Sequence, residues 1–247
     1  MIDVKNKVFL VTGSTSGVGL AFAEKLVNAG AFVVFHSRKS QELGAELASK
    51  ANGSIYIQAD LTNKGDICKL TNAIIEKYDG IDYIINNASY SIPIQYLDFE
   101  AASPEHWHEM YQINVVSPWM ISTSLFDATH NRSCKRKMKS ILNISSHAGV
   151  FAKGASIPYA VSKSALNHLT KLLAKTFGPK VRVNAVAPGL IDTPLTKSWV
   201  EVQKIWKTNS TLQRSAQPEE LASFGLNLIL EENMTGQIIV WDGGFNL

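Results

Sequence analysis

Cysteine is scarce in this chain. Cys68 and Cys134 are its only two, far apart and in no metal-ligand or redox spacing. That excludes a disulfide scaffold and a C-x-x-C centre, and it reads as two reduced thiols in a reducing compartment. Charge is thin as well: 18% of residues are Asp, Glu, Lys or Arg, with a formal net charge of +3. A nucleic-acid binder concentrates basic residues on one face, so no such partner is expected. The densest basic run, Lys135-Arg136-Lys137 with Lys139, reads as a solvated loop ahead of a strand. His106 and His108 stand two apart and face different directions on a helix, so no metal site is expected. No apolar run reaches the length of a membrane span. The opening Met-Ile-Asp-Val-Lys-Asn-Lys also lacks the apolar stretch of a signal peptide. The expectation is a cytoplasmic protein with no membrane partner.

Alternation is what the sequence does have. Short apolar, β-branched runs at Val8–Val11, Phe32–Phe35, Ile55–Ile57, Ile81–Ile85, Ser140–Ile144, Arg182–Val186 and Gln237–Trp241 read as strands. Their apolar character is continuous, which suits strands buried on both faces of a parallel sheet. Helical patterns separate them, at about 17–28, 41–51, 63–78, 103–130, 158–177 and 217–230. Regular strand–helix alternation predicts an α/β doubly wound sheet flanked by helices. No linker or repeat divides residues 1–247, so a single domain is expected.

Thr12-Gly-Ser-Thr-Ser-Gly-Val-Gly19 joins the first strand to the first helix. Gly13, Gly17 and Gly19 permit a sharp turn and a close backbone approach, and Val18 lies between the last two. The helix start offers free N–H groups to a pyrophosphate, with Ser14, Thr15 and Ser16 adding hydroxyls. The spacing is G-x-x-x-G-x-G rather than G-x-G-x-x-G. At the end of the second strand, an NAD site would usually place an acid. Here stand His36-Ser37-Arg38-Lys39. Arg38, with Ser37, suits the 2′-phosphate of NADP(H), and NAD(H) is the less favoured cofactor.

Tyr159 and Lys163 are four apart at the front of a helix, on one face. The pair alone proves little, but hydride chemistry on a carbonyl also needs a proton donor. A free tyrosine titrates near 10, and bringing it to neutrality takes roughly 4 kcal/mol of phenolate stabilisation. A nearby ammonium is of that order. Ser145 and Ser146 follow the Ser140–Ile144 strand at the carboxyl edge, where open sheets bind ligands.

These residues resemble the short-chain dehydrogenase/reductase family over essentially the whole chain. The resemblance rests on Thr12-Gly13…Gly17-Val-Gly19, Asp60-Leu61, Asn86-Asn87-Ala88, Ile113-Asn114-Val115, Asn143-Ile-Ser-Ser146, Tyr159-Ala-Val-Ser-Lys163 and Val186-Ala-Pro-Gly189, in that order. It implies a Rossmann-type fold, with 3-oxoacyl-carrier-protein reductases among the similar members. It implies an NADP(H)-dependent oxidoreductase acting on a small carbonyl or alcohol substrate, with pterin or 3-oxoacyl thioester reduction as alternatives. A non-catalytic NADP(H)-binding protein is the reading from another class.

By the resemblance, Tyr159 is the acid/base and Lys163 its pKa-lowering, ribose-binding partner. Ser146, 13 residues ahead of the tyrosine, orients the substrate oxygen in preference to Ser145. Asn114 holds a water or a backbone kink. Asp60 and Leu61 flank the adenine. Asn86, Asn87 and Ala88 line the ribose side, and Pro188, Gly189, Ile191 and Thr193 meet the nicotinamide. The family's habit implies a homodimer or homotetramer through the helices near 103–130 and 158–177. A substrate lid is implied at about 190–215, where Trp199 and Trp206 stand seven apart. Arg214 and Pro218-Glu-Glu220 read as its frame, and His147 as a residue of the cleft mouth.

Two departures stand out. Ser89 follows Asn-Asn-Ala where the family usually has Gly, which narrows the cleft or adds a contact. Some pteridine reductases share it. The segment 131–139 is long and basic for the family, and nothing in the sequence gives it a function.

Overall fold

A computed structural model describes residues 4–247. Seven strands form one parallel sheet in the order β3-β2-β1-β4-β5-β6-β7. They are β1 (Val8–Val11), β2 (Phe32–Ser37), β3 (Ile55–Gln58), β4 (Tyr83–Asn86), β5 (Ser140–Ile144), β6 (Arg182–Pro188) and β7 (Ile238–Trp241). β1, β4 and β5 are buried at every position, as their unbroken apolar runs require. Strand order reverses between β1 and β4, where doubly wound sheets open a crevice at their carboxyl edge.

The described residues form eight α-helices: α1 (Gly17–Asn28), α2 (Gln41–Lys50), α3 (Lys64–Tyr78), α4 (Pro104–Tyr111), α5 (Ser117–Asn131), α6 (Ile157–Phe177), α7 (Val200–Asn209) and α8 (Pro218–Leu230). Phe22 and Leu26 of α1 pack with Leu221, Leu226 and Ile229 of α8 on one face. Ile67, Leu70 and Ile74 of α3, Ile121 and Leu125 of α5, and Leu173 and Phe177 of α6 cover the other. Asn63 starts α3 by accepting the Gly65 and Asp66 N–H groups at 2.7 and 3.3 Å, a side-chain cap. None of the helices described is long and apolar enough to cross a membrane.

Two sequence expectations change. The single helix expected over 103–130 is interrupted by a π-helical turn, Gln112–Val116, between α4 and α5. Nor is the basic segment all solvated. Lys135 is exposed, but Arg136 turns in and its Nη1 donates to Asp82 Oδ2 at 3.1 Å and to the Asn6 carbonyl at 3.1 Å. Asp82 Oδ2 also accepts the Val8 N–H at 2.9 Å. The segment thus clamps the starts of β1 and β4, and Asp82 serves this clamp rather than the strand itself.

Candidate active site

The carboxyl edge of the sheet opens into a cleft of about 1030 Å³. Its floor begins at the β1–α1 turn. Gly13 has φ +66°, and a Cβ there would stand 3.2 Å from Ala88 Cα. At Gly19 a Cβ would stand 2.2 Å from the Gly13 carbonyl oxygen, so helix and turn pack with no room for a side chain. Gly13, Thr15, Ser16, Gly17 and Val18 line the cleft. Gly19 lies behind it, serving the packing of α1.

Ser14 corrects the expectation of a free hydroxyl. It is fully buried, its N–H donates to the His36 carbonyl, and its Oγ accepts the His36 N–H at 2.9 Å. His36 is a link that sequence reasoning missed. Its Nδ1 accepts the Gly13 N–H at 3.0 Å, which leaves Nε2 to donate to the Ala59 carbonyl at 3.1 Å. One neutral imidazole thus ties the glycine turn to β2 and the end of β3. Burial pushes its pKa down to about 4, because a charged ring there would lose its water.

At the end of β2, Ser37 and Arg38 both line the cleft. The Ser37 hydroxyl is shared with the Tyr56 hydroxyl at 2.8 Å and the Ser40 N–H at 3.1 Å. Arg38 is partly exposed, with Nη1 3.5 Å from Glu109 Oε1 of α4. Across from it, burial works against the Asp60 carboxylate. The Thr62 N–H and hydroxyl, with Arg38 and Lys39, nonetheless hold it below the usual carboxylate range. Leu61 lines the cleft beside Asp60.

The β4 edge is stitched to the same turn. Thr12 Oγ1 accepts the Asn87 and Ala88 N–H groups at 3.0 and 2.9 Å. Asn87 Nδ2 returns hydrogen bonds to the Thr12 and Gly13 carbonyls at 2.9 and 3.2 Å. Asn87 and Ala88 face the cleft, but Asn86 does not. It is buried, with Nδ2 donating to Asn143 Oδ1 at 2.9 Å. Asn86 is therefore core, which corrects its expected place on the ribose side.

Asn114 sits inside the π-helical turn, a feature often found at functional sites. Its Nδ2 donates to the Tyr90 carbonyl at 3.0 Å and Ser162 Oγ at 2.9 Å. Its Oδ1 accepts the Ser89 hydroxyl and the Tyr90 N–H, both at 2.9 Å. All four of these hydrogen bonds go to protein groups, so the side chain is saturated. Ser89 thus adds a contact.

Tyr159, Lys163 and Ser146 meet on the wall formed by α6 and the end of β5. Lys163 is buried, its Nζ donating to the Ile144 carbonyl at 2.9 Å and standing 5.8 Å from the centre of the Tyr159 ring. Burial pushes the Lys163 pKa down to about 7. Burial also raises Tyr159, against the hydroxyls of Ser146 and Ser89 beside it. Burial thus works against the lowering of the phenol expected from the lysine, since dry surroundings favour both groups neutral. Ser146 Oγ accepts the Ala148 N–H at 3.1 Å, while Ser145 Oγ points at the Lys163 carbonyl at 3.4 Å.

The opposite wall carries Pro188, Gly189, Ile191 and Thr193. Beyond it stands α7, in the segment of the expected lid. Trp199 precedes α7 and Trp206 lies within it, and both reach the cleft. Arg214 grips Glu220 through two 2.7 Å hydrogen bonds, holding that carboxyl down to about 2.

A profile described as Enoyl-(Acyl carrier protein) reductase matches residues 13–246. The chain is 37% identical over 243 residues to a ketoacyl reductase assigned to the granaticin polyketide synthase of Streptomyces violaceoruber, covering 97% of this chain and 96% of that protein. It is 32% identical to the 3-oxoacyl-[acyl-carrier-protein] reductase FabG of Aquifex aeolicus, covering 98% of each. Among solved structures, L-sorbose reductase of Gluconobacter frateurii complexed with NADPH and L-sorbose superposes with a TM-score of 0.86 at 26% identity, over 99% of this chain and 98% of that one. The Pseudomonas aeruginosa RhlG/NADP active-site complex gives 0.88 at 28%, over 100% and 98%. The chain belongs to the short-chain dehydrogenase/reductase family.

Proposed function

We propose that this oxidoreductase is an NADP(H)-dependent reductase of a small carbonyl compound, or the matching alcohol dehydrogenase, with Tyr159 as acid/base. The observation that carries the reading is the meeting of Tyr159, Lys163 and Ser146 in one cleft with the glycine turn. The turn suits a nicotinamide dinucleotide, since Gly13 and Gly17, at φ +66° and +53°, present bare backbone to the cleft at the start of α1. Gly13, Thr15, Ser16, Gly17 and Val18 would hold the pyrophosphate at the start of α1. Asp60 and Leu61 would flank the adenine, Asn87 and Ala88 the ribose, and Pro188, Gly189, Ile191 and Thr193 the nicotinamide. When bound, the coenzyme supplies or accepts the hydride.

The protein's own part is the proton. Ser146 donates to the substrate oxygen, and the Tyr159 O–H delivers a proton to that oxygen as it gains negative charge. The phenolate left behind is stabilised by the Lys163 ammonium and by the hydroxyls of Ser146 and Ser89. Burial holds the Lys163 pKa near 7, and negative charge growing on the phenol beside it would draw the ammonium form. Asn114 keeps Ser89 and the π-helical turn in place. Arg38 and the missing acid after β2 favour NADP(H) over NAD(H), and two structural neighbours are complexes with NADPH or NADP.

The ketoacyl reductases among the relatives favour 3-oxoacyl thioesters as one substrate class, and Ser89 alone suggests a pterin. Apolar side chains exposed on α4–α6, Tyr111, Trp119, Ile157, Val161 and Leu172, support a homodimer or homotetramer. The two free cysteines fit a cytoplasmic setting.

Tyr159→Phe tests the mechanism: it abolishes NADPH-driven reduction and leaves NADPH affinity nearly intact. A variant with near-full turnover would overturn the reading.

A further inference from the structure

Past the phenol, the cleft ends on a wall of rings. Trp206 stacks on Phe245 with centroids 4.0 Å apart and 6° between planes. The His147 ring meets both edge-on at 5.4 Å and lies 4.9 Å from Phe151. Lys153 Nζ stands 4.7 Å from the Phe245 ring centre. His147, Trp206 and Phe245 all line the cleft. On this aromatic wall the imidazole stands one residue past Ser146.

Its orientation is built in. Asn246 Nδ2 donates one hydrogen to Asp242 Oδ2 at 2.9 Å and the other to His147 Nε2. Asn246 Oδ1 accepts from the Lys153 ammonium at 3.5 Å. Flipping the amide would press its carbonyl against the Asp242 carboxylate, so the network fixes it. Nε2 is therefore an acceptor, and the neutral ring carries its hydrogen on Nδ1. Burial lowers the His147 pKa against the pull of Asp242, which favours that neutral form. Nδ1 has no hydrogen-bond acceptor among the described residues. Nδ1 is not among the fully buried polar atoms left without a partner, so it is open to the cleft, where an acceptor on the occupant can take the place of water.

We propose that His147 is a specificity-determining residue whose Nδ1–H donates to a second oxygen on the substrate, a carbonyl or ester oxygen carried on an apolar body beside the reacting carbonyl. The inference rests on the reductase reading above and narrows its substrate class. Asn246 and Asp242 act through His147, as positioning residues that hold the tautomer. A site built around a donor rejects an analogue lacking the acceptor, because the donor is then stranded.

Two probes of similar shape separate the possibilities. Ethyl benzoylacetate and hexanophenone share the aryl ketone and chain length, and only the first has a second carbonyl. His147→Phe keeps a ring against Trp206 and Phe245 while removing the donor. The variant should lose about tenfold in kcat/KM on the keto ester and stay within about twofold of wild type on the plain ketone. Asn246→Leu should shift selectivity the same way by a smaller factor. Equal losses on both probes, or none on either, overturn the proposal. Calorimetry of each probe on NADP+-saturated protein decides it independently of turnover. Selective weakening of the keto ester by His147→Phe sustains the role, and unchanged affinity for both overturns it. If wild type turns over neither probe, the reductase reading fails for this class, and the binding comparison still decides His147.

Discussion

Ser89 donates its hydroxyl hydrogen to Asn114 Oδ1 at 2.9 Å, and its oxygen lies beside the Tyr159 phenol. Asn114 Oδ1 also holds the Tyr90 N–H at 2.9 Å, so it stays satisfied if the Ser89 hydrogen swings toward a phenolate. Ser89 and Ser146 both oppose the upward push of burial on Tyr159. Replacing Ser89 with Gly leaves that push less opposed. On the proposed mechanism alcohol oxidation needs the phenolate as base, so the rise of kcat with pH in that direction should move to higher pH. A profile identical to wild type would remove Ser89 from the proton chemistry.

Arg38 and Glu109 form a loose pair at the mouth, 3.5 Å apart and partly exposed. Arg38→Ala should weaken NADPH by about tenfold or more and NADH by less than about twofold. Glu109→Gln frees Arg38 and should tighten NADPH by roughly two- to threefold, since exposed pairs are weak. Fluorescence titration with both coenzymes checks this. Parallel changes for NADPH and NADH would contradict a 2′-phosphate role.

His36 predicts an acid-sensitive fold. Its native pKa of about 4 lies below the ordinary 6.5, so above 6.5 neither state binds the extra proton. As pH falls toward 4, the unfolded chain takes up a proton that the native ring refuses, and stability declines by about 3 kcal/mol. Below pH 4 this residue adds no further loss. Urea unfolding at a series of pH values should show the slope, and His36→Asn should flatten it. An equal slope in the variant would place the acid sensitivity elsewhere.

Arg136→Ala strands the buried Asp82 carboxylate with only the Val8 N–H on Oδ2. The expected loss is roughly 2–4 kcal/mol in urea unfolding, with kcat preserved in the protein that remains folded. Lys135→Ala, at an exposed side chain 3.9 Å from Asp79, should change stability by less than about 0.5 kcal/mol. Equal effects would deny the clamp.

Periodicity made most of the architecture legible. Continuous apolar runs fixed the strands, and β1, α1 and β5 fall within the predicted bounds. The motif residues in the cleft were legible because their spacing is set along one element or at one strand end. What escaped depends on distance through space. Nothing local in His36 says that its two ring nitrogens reach Gly13 and Ala59. Nothing in Asn86 and Asn87 tells which turns inward, since neighbours at a strand end point to opposite faces. The same holds for Asp242 and Asn246, nearly a hundred residues from the His147 ring they orient. Charge composition misread Arg136 for a similar reason, because its acid lies on another strand.

Thr12 has one more consequence. A single hydroxyl oxygen takes both N–H groups at 87 and 88, and the Asn87 amide clasps the carbonyls of 12 and 13 in return. Four short bonds fasten the tip of β1 to the loop that continues into Ser89. Whatever pries the glycine turn outward drags that loop with it. On the proposed reading, the turn that would hold the dinucleotide and the loop that leads to the phenol thus share one set of fastenings.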